Sequence, residues 1–242
     1  MAIFVLVSGA WHAGWCWERV VPLLEQAGHR ALAPDLLGMG SDHAPLEVVT
    51  LGLWADQVAA LVEAQPEPVI LVGHSRGGIV ISETAERAPE HIRSLVYLTA
   101  LLVPSGETML STTMQDGAGP TGDKFLPAPG GGLIVRAEAV GPMFYNTTEA
   151  HWVERATSKL GPEPFAVAMT PLQLTPERFG RVPRAFIECT QDQALTLNLQ
   201  RRMQAALPCD PVFTLETDHS PFYSDPQALV ACLLSIANGA AL

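Results

Sequence analysis

The sequence predicts an α/β fold: a mostly parallel sheet flanked by helices, with a small, mainly helical cap. Two observations predict the sheet. Short apolar segments alternate with segments of helical spacing up to residue 100, and the alternation resumes at residue 184. Such alternation is typical of parallel strands joined by helices that cover both faces of one sheet. In addition, apolar residues 69–72 lead into Gly73-His74-Ser75-Arg76-Gly77, which predicts a strand, a sharp turn and a helix.

The first 103 residues contain most of the predicted elements. We predict strands at residues 3–8, 29–34, 69–72 and 92–100. Helices are predicted at residues 15–26, between Thr50 and Pro66, and from the sharp turn to about residue 87. Thr50 is the predicted N-cap of the second helix, because its hydroxyl can accept a hydrogen bond from the first turn. One apolar face of that helix is predicted to carry Leu53, Val58, Leu61 and Val62.

Residues 104–183 differ in composition from what precedes and follows them. Gly, Pro, Thr and Met are common there, and the predicted helices, at residues 148–160 and 162–168, are short. The α/β pattern then resumes with strands at residues 184–190 and 212–216 and helices at residues 196–206 and 225–237. We therefore predict a core of residues 1–103 and 184–242, with residues 104–183 inserted as the cap.

Composition indicates which partners and which compartment to expect. The 242 residues carry a net charge of -11, which argues against nucleic acid or an anionic membrane as a partner. No apolar run is long enough to span a membrane, and residues 1–10 read as a first strand rather than a signal peptide. The four cysteines are scattered, which predicts buried thiols in a reducing, cytoplasmic compartment. A homodimer is compatible with the composition, although no patch demands one.

Ser75 is the predicted nucleophile. It lies at the centre of a G-x-S-x-G motif whose glycines permit the tight backbone approach of a strand-to-helix turn. Such a turn lifts the serine hydroxyl above the end of the strand. The helix that follows directs its free N–H groups toward the same point, where they can stabilise an oxyanion.

A serine nucleophile needs a histidine base and a carboxylate that orients the base. Of the seven histidines, only His219 follows a late strand and precedes the last helix, so it is the predicted base. Asp192 directly follows the strand at residues 184–190 and is the predicted acid, because functional groups gather at the carboxyl edge of a parallel sheet. Asp218 is adjacent to the base in sequence, a poor geometry for pairing with it, and is expected to form a local turn or cap.

The oxyanion requires two backbone donors. The predicted donors are the N–H of Arg76, the residue after the nucleophile, and the N–H of Ala10 in the loop after the first strand. The side chain of Arg76 is expected to point outward and to pack on the surface.

Five side chains are predicted to form the substrate pocket. His12 lies in the same loop as Ala10, and the other candidates are Trp11, Met143, Phe144 and Tyr145. Ordinary packing in the core or cap is an equally good interpretation for each of these walls.

Several segments resemble one branch of a known family. They are Phe4-Val5-Leu6-Val7-Ser8-Gly9-Ala10-Trp11-His12-Ala13-Gly14-Trp15-Cys16-Trp17, Val72-Gly73-His74-Ser75-Arg76-Gly77-Gly78, Phe144-Tyr145-Asn146, Pro162-Glu163-Pro164-Phe165, Cys189-Thr190-Gln191-Asp192 and Thr217-Asp218-His219. Together they are similar to the α/β-hydrolases of the hydroxynitrile lyase and plant methylesterase branch, which also includes bacterial esterases and pyrethroid hydrolases. The resemblance covers nearly the whole chain. It implies the α/β-hydrolase fold, with a cap that closes a buried, apolar pocket.

Departures from that branch bear on the reaction. Ser8-Gly9 stands where the family usually has His-Gly, and the lyases have a Thr in place of Gly9 and a Lys in place of Ser220. His74, just before the nucleophile, is typical of the esterases. These residues favour ester hydrolysis over cyanohydrin cleavage.

The predicted activity is that of a serine carboxylesterase for small to mid-sized apolar esters, which forms an acyl-enzyme on Ser75. No metal and no cofactor are expected, because the triad activates the nucleophile without one. Two alternatives stay open. One is a lyase or a cofactor-free oxygenase on the same scaffold, and the other is a ligand-binding receptor that retains the triad.

Overall fold

The computed structural model describes residues 1–115 and 123–239. The central sheet contains β1 (Ile3–Val7), β2 (Arg30–Leu32), β3 (Val69–His74), β4 (Ile92–Leu98), β8 (Arg184–Cys189) and β9 (Val212–Leu215), and a second sheet contains β5 (Phe125–Ala128), β6 (Gly132–Val135) and β7 (Glu163–Pro164). The central strands lie in the order β2-β1-β3-β4-β8-β9, and every neighbouring pair is parallel. The prediction of a mostly parallel sheet is therefore confirmed.

Helices follow most strands of the central sheet. The α-helices are α1 (Val21–Gln26), α2 (Leu51–Glu63), α3 (Gly77–Arg87), α4 (Met109–Met114), α5 (Ala137–Phe144), α6 (Ala150–Thr157), α7 (Phe165–Ala168), α8 (Leu197–Ala206), α9 (Pro221–Ser224) and α10 (Pro226–Asn238). Single 3-10 turns occur at Gly14–Trp17, Leu46–Val48, Pro89–His91, Pro129–Gly131 and Phe179–Arg181. The side chain of Thr50 accepts a hydrogen bond from the N–H of Leu53, so Thr50 caps α2 as predicted.

The core occupies both faces of the central sheet. Alternate residues of one strand point to opposite faces, so Val5 and Val7 pack in one apolar cluster and Phe4 and Leu6 in the other. All six residues of β3 are buried, as expected for a central parallel strand. The sheet is thus a rigid base for the loops that leave it.

The strand register places the loops that carry the predicted site residues at one edge of the central sheet. Val7 at the end of β1 lies opposite Gly73, and His74 at the end of β3 lies opposite Leu98. Cys189 at the end of β8 lies opposite Leu215 in β9. Neighbouring parallel strands end at the same edge of a sheet. The loops after β1, β3, β4, β8 and β9 therefore meet at the carboxyl edge.

The inserted region is richer in structure than the sequence indicates. The predicted helices appear, shortened, as α6 and α7, whereas α4, α5 and the small antiparallel sheet of β5, β6 and β7 were missed. A turn with positive φ at Gly130 and Gly131 joins β5 to β6, and β7 reaches this sheet from about 30 residues further along the chain. Residues 116–122 of the predicted cap and 240–242 of the predicted core lie outside the described residues. The division into core and cap stays a prediction.

Two details of the predicted helices were wrong. Residues 15–26 do not form one helix: a 3-10 turn ends at Trp17 and α1 begins at Val21. Pro22 lies in the first turn of α1, where its missing N–H is tolerated, whereas a longer helix would require that hydrogen bond. In α2, Leu53 is exposed, because Leu51, Trp54, Val58 and Val62 define the buried stripe.

The remaining sequence expectations concern the cysteines and the membrane. The four cysteines are free, and Cys16, Cys189 and Cys232 are buried. Within the described ranges, no helix combines the length and the apolar character needed to cross a bilayer. The compartment stays a prediction.

Candidate active site

Ser75 lies on a strained turn between β3 and α3. Its φ is 52°, a left-handed conformation that is uncommon for residues other than glycine. Its N–H donates to the carbonyl of Leu98 at 3.3 Å, and its carbonyl accepts from Gly78 and Leu101 at 3.0 Å each. A Cβ on Gly73 would lie 2.7 Å from the carbonyl oxygen of Gly77, so this turn requires glycine there. The motif therefore forms the predicted elbow.

His219 and Asp192 form a buried pair at the same edge of the sheet. The Nδ1 of His219 lies 2.6 Å from Asp192 Oδ2. A carboxylate can only accept, so Nδ1 carries the proton and Nε2 is left to act as a base. Asp192 Oδ1 accepts from the N–H groups of Ala194 and Leu195 at 2.7 and 2.9 Å, and the Thr99 hydroxyl donates to Oδ2. The structure brings the predicted acid and base together, and Thr99 is a contact that the sequence analysis missed.

Asp218 does not pair with the base beside it. Its Oδ1 accepts from the Ser220 N–H and the Ser224 hydroxyl, at 2.9 Å each, which is the expected local turn. Its Oδ2 accepts from the Thr147 N–H at 2.9 Å and the Thr148 hydroxyl at 2.8 Å. Asp218 therefore also ties the loop of the base to the segment between α5 and α6.

The loop that carries Ala10 lies beside the elbow. Most nearby N–H groups have protein acceptors: that of Trp11 donates to Glu163 Oε2 at 3.0 Å, and that of His12 to the Gly9 carbonyl at 3.3 Å. Ala10 lines the same cavity as Ser75. The N–H groups of Ala10 and Arg76 remain the candidate oxyanion donors.

The side chain of Arg76 is buried, so its expected surface position was wrong. Its Nε donates to Glu163 Oε1 at 2.9 Å, and its Nη2 donates to the Gly9 carbonyl, also at 2.9 Å. The guanidinium stacks over the Trp54 ring at 4.2 Å from the ring centroid. Its charge partner comes from β7 in the inserted region, 87 positions along the chain, which the local pattern around the elbow cannot show.

In the Arg76–Glu163 pair, burial and the charge of the partner shift each pKa in opposite directions. Burial raises the pKa of Glu163 and lowers that of Arg76, because each charged form loses its hydration. The opposite charge of the partner shifts both pKa values back. Removing one partner would leave the other charge buried and uncompensated.

Two predicted pocket walls lie behind the cavity instead of lining it. The Nδ1–H of His12 donates to the Ala10 carbonyl at 2.7 Å, and its Nε2 accepts from the Tyr145 hydroxyl at 2.6 Å. Both side chains are engaged and buried, and burial lowers the pKa of His12 to about 3. His12 and Tyr145 thus support the loop of Ala10, and their predicted contact with substrate stays a prediction.

His74 packs beside the elbow, as expected. Its Nε2–H donates to the backbone carbonyl of His219 at 2.7 Å. A carbonyl only accepts, which fixes the tautomer of His74. Burial lowers the pKa of His74, so the ring is neutral and supports the loop of the base.

A cavity of about 140 Å³ opens in front of Ser75 and His219. The predicted walls Trp11, Met143 and Phe144 line it. Its other lining residues, many of them apolar and most from the inserted region, are Ala10, Leu101, Met109, Leu110, Thr113, Lys124, Phe125, Leu133, Glu163, Phe165, Ala168, Gln193, Ala194 and Leu195. Within residues 1–115 and 123–239, no three His, Cys, Asp or Glu side chains cluster in a way that could hold a metal ion.

A family comparison agrees with this architecture. The family model described as the alpha/beta hydrolase family matches residues 4–231. This chain belongs to the alpha/beta hydrolase family. The predicted fold class and the resemblance to plant methylesterases are both confirmed.

Individual relatives of this alpha/beta hydrolase come from plants and bacteria. The putative methylesterase 11, chloroplastic, of Arabidopsis thaliana is 31% identical over 247 residues, which cover 97% of this chain and 63% of that protein. This chain therefore spans less than two thirds of the length of that relative. A carbendazim hydrolyzing esterase of Nocardioides sp. (strain SG-4G) is 46% identical over 113 residues, 46% of this chain and 47% of the other.

A solved structure is also similar over the full chain. The crystal structure of a methylesterase protein from Arabidopsis superposes with a TM-score of 0.85 and 28% sequence identity. The match covers 99% of this chain and 100% of the other. The similarity thus includes both the central sheet and the inserted region.

Proposed function

We propose that this alpha/beta hydrolase is a serine carboxylesterase that forms an acyl-enzyme on Ser75. The observation that carries the proposal is the convergence of Ser75 and the buried His219–Asp192 pair on one largely apolar cavity. The esterase names of the similar proteins support it.

In the acylation step, the Ser75 hydroxyl attacks the ester carbonyl and passes its proton to His219 Nε2. Asp192 holds the imidazole in the correct tautomer and stabilises the positive charge that forms. The carbonyl electrons move to oxygen, and the resulting oxyanion accepts hydrogen bonds from the N–H groups of Ala10 and Arg76. When the tetrahedral intermediate collapses, the C–O bond to the alcohol breaks and His219 protonates the leaving oxygen.

Deacylation repeats these steps with water. His219 removes a proton from water, the hydroxide adds to the acyl carbonyl, and the same two N–H groups bind the oxyanion. Collapse breaks the bond to Ser75, which takes the proton back from His219. The products are one carboxylic acid and one alcohol, and the enzyme returns unchanged.

The cavity indicates the substrate class. A volume of about 140 Å³ is close to that of an engineered cavity, roughly 150 Å³, that holds benzene. Many walls of the Ser75 cavity, including Trp11, Met143 and Phe144, are apolar. We therefore propose small to mid-sized apolar esters as substrates.

The test is hydrolysis of p-nitrophenyl esters, from acetate to octanoate, by the wild type and by Ser75→Ala. We expect turnover that peaks at short to middle acyl chains and falls by roughly 10⁴-fold or more in the variant. Equal turnover by the variant would contradict the proposal. No turnover by the wild type, with cyanide released from a cyanohydrin or with tight ligand binding, would favour the lyase or the receptor instead.

A further inference from the structure

We propose that the buried Arg76–Glu163 pair positions the oxyanion donors, which ties the geometry of catalysis to the inserted region. This inference rests on the proposed esterase function. Arg76 and Glu163 are positioning residues in this scheme, because they act through the backbone of the loop at residues 9–11.

The peptide between Gly9 and Ala10 is held by the side chain of Arg76. Its carbonyl oxygen accepts from Arg76 Nη2 at 2.9 Å, and its N–H is the candidate oxyanion donor. A trans peptide is planar, so holding its oxygen also fixes the direction of the N–H on the opposite side. A charged donor on the oxygen further polarises the amide and strengthens the hydrogen bond that its N–H donates.

The next peptide along the chain, between Ala10 and Trp11, is held by two hydrogen bonds. The Trp11 N–H donates to Glu163 Oε2 at 3.0 Å, and the Ala10 carbonyl accepts from His12 Nδ1 at 2.7 Å. Trp11 has a φ of 63°, a conformation that needs such support. The peptides on both sides of Ala10 are therefore fixed, and Glu163 is bound to Arg76 through its other oxygen.

Burying the Arg76–Glu163 pair has a free-energy cost, which indicates a role beyond stability. Burying two charges requires large compensation, and apolar residues of similar volume often give equal or greater stability. Arg76 is fully buried and the side chain of Glu163 is 9% exposed, so stability alone is a weak explanation for this pair. Its contacts to both peptides of the oxyanion loop give it a role in catalysis.

The test compares the wild type with the double variant Arg76→Met/Glu163→Gln. The substitution removes both charges together, and the Gln oxygen can still accept from the Trp11 N–H. What is lost is the charged Arg76 donor to the Gly9 carbonyl, which keeps the longer hydrogen bond from the His12 N–H at 3.3 Å. A matched control is Arg87→Met/Glu83→Gln, which removes a partly buried ion pair at the far end of α3.

Two readouts separate positioning from a purely structural role. In the double variant, kcat for a p-nitrophenyl ester should fall at least tenfold, up to the 10²–10³-fold typical of losing one oxyanion donor, with KM within about threefold. The affinity for a trifluoromethyl ketone should fall by a similar factor. Ser75 Oγ adds to the carbonyl carbon of that inhibitor and passes its proton to His219. The carbonyl electrons move to oxygen, which places an oxyanion in the same site. The control pair should change neither quantity.

A folded double variant with wild-type kcat and wild-type inhibitor affinity would overturn the positioning role. If the double variant does not fold, Arg76→Lys decides, because it keeps the charge but has one compact ammonium in place of a planar fork. Its kcat should fall at least threefold, and a wild-type kcat would again overturn the inference. Absence of Ser75-dependent turnover in the wild type would instead contradict the proposed function itself.

Discussion

Two buried pairs of ionisable side chains lie at this site, His219–Asp192 and Arg76–Glu163, and they are held in different ways. In the His219–Asp192 pair the side chains are 2% and 0% exposed, and in the Arg76–Glu163 pair they are 0% and 9% exposed. Each of the other ion pairs within the described residues includes a side chain that is at least 29% exposed. The most deeply buried charges are thus found at the base and beside the oxyanion donors.

The difference lies in where the partners come from. Asp192, Thr99 and His219 all follow strands of the central sheet, so the hydrogen-bonded pair itself comes from that sheet. The inserted region contacts the loop of the base through Asp218. The oxyanion loop is held by Glu163, which belongs to β7 in the inserted region. The geometry of the base and its acid therefore depends mainly on the sheet edge, whereas the geometry of the oxyanion loop depends directly on how β7 is placed.

The largest effect on kcat should follow a change in Asp192, the acid that orients the base. We expect Asp192→Asn to lower kcat by about 10⁴-fold, because the amide can donate to the ring and favour the wrong tautomer of His219. The measurement is kcat with a p-nitrophenyl ester at neutral pH. Asp225→Asn, which replaces the cap of α10 by an equally good one, is the control and should retain wild-type kcat. An active Asp192→Asn enzyme would show that another group orients the base.

A smaller effect should follow a change in the oxyanion loop. A Cβ on Gly9 would lie 2.7 Å from His74 Nδ1 and 2.8 Å from Ser75 Cβ. Gly9→Ala must therefore move the loop away from the nucleophile, and a displacement of about 1 Å can cost 10²-fold in rate. We expect kcat to fall by about that factor, while Gly52→Ala, whose added Cβ meets nothing nearer than 3.6 Å, should leave it unchanged. Wild-type kcat for Gly9→Ala would contradict the assignment of this loop.

A third substitution tests whether the base side is linked to the inserted region through Asp218. Asp218→Asn replaces an acceptor of four hydrogen bonds by a group with one acceptor oxygen. Leaving buried donors unpaired costs about 1–3 kcal/mol, so the free energy of unfolding should fall by that amount in denaturant titrations. Glu216→Gln, an exposed change near the same loop, is the control. An unchanged unfolding free energy in Asp218→Asn would show that this link carries no stability.

A fourth prediction concerns pH and the support behind the oxyanion loop, and it affects stability rather than kcat. Burial lowers the pKa of His12 from 6.5 to about 3 in the folded state. Between these values the unfolded chain binds more protons, so the free energy of unfolding must fall as pH falls from 6.5 toward 3. The slope is about 1.4 kcal/mol per pH unit for one group. His12→Asn should flatten the dependence by that amount, and the exposed His151→Asn should not. An unchanged slope in His12→Asn would contradict a neutral His12.

The sequence predicted the parts of this site that depend on local pattern. Ser75, Asp192 and His219 each lie in the loop or turn that follows a strand, so their meeting at one edge follows from parallel strands. The Arg76–Glu163 pair could not be predicted in this way, because its members are 87 positions apart and join the core to a small sheet of the inserted region. One signal was present: an arginine inside a glycine-rich elbow between apolar segments needs a buried acid.

The most direct test of Ser75 as nucleophile is covalent labelling with a fluorophosphonate. Ser75 Oγ would bond to its phosphorus and form a phosphonate ester, the P–F bond would break to release fluoride, and His219 would take the serine proton. We predict stoichiometric loss of esterase activity, with the label on the peptide that contains Ser75 and no label on Ser75→Ala. Full inactivation with the label on another residue, or full activity with Ser75 labelled, would contradict the account.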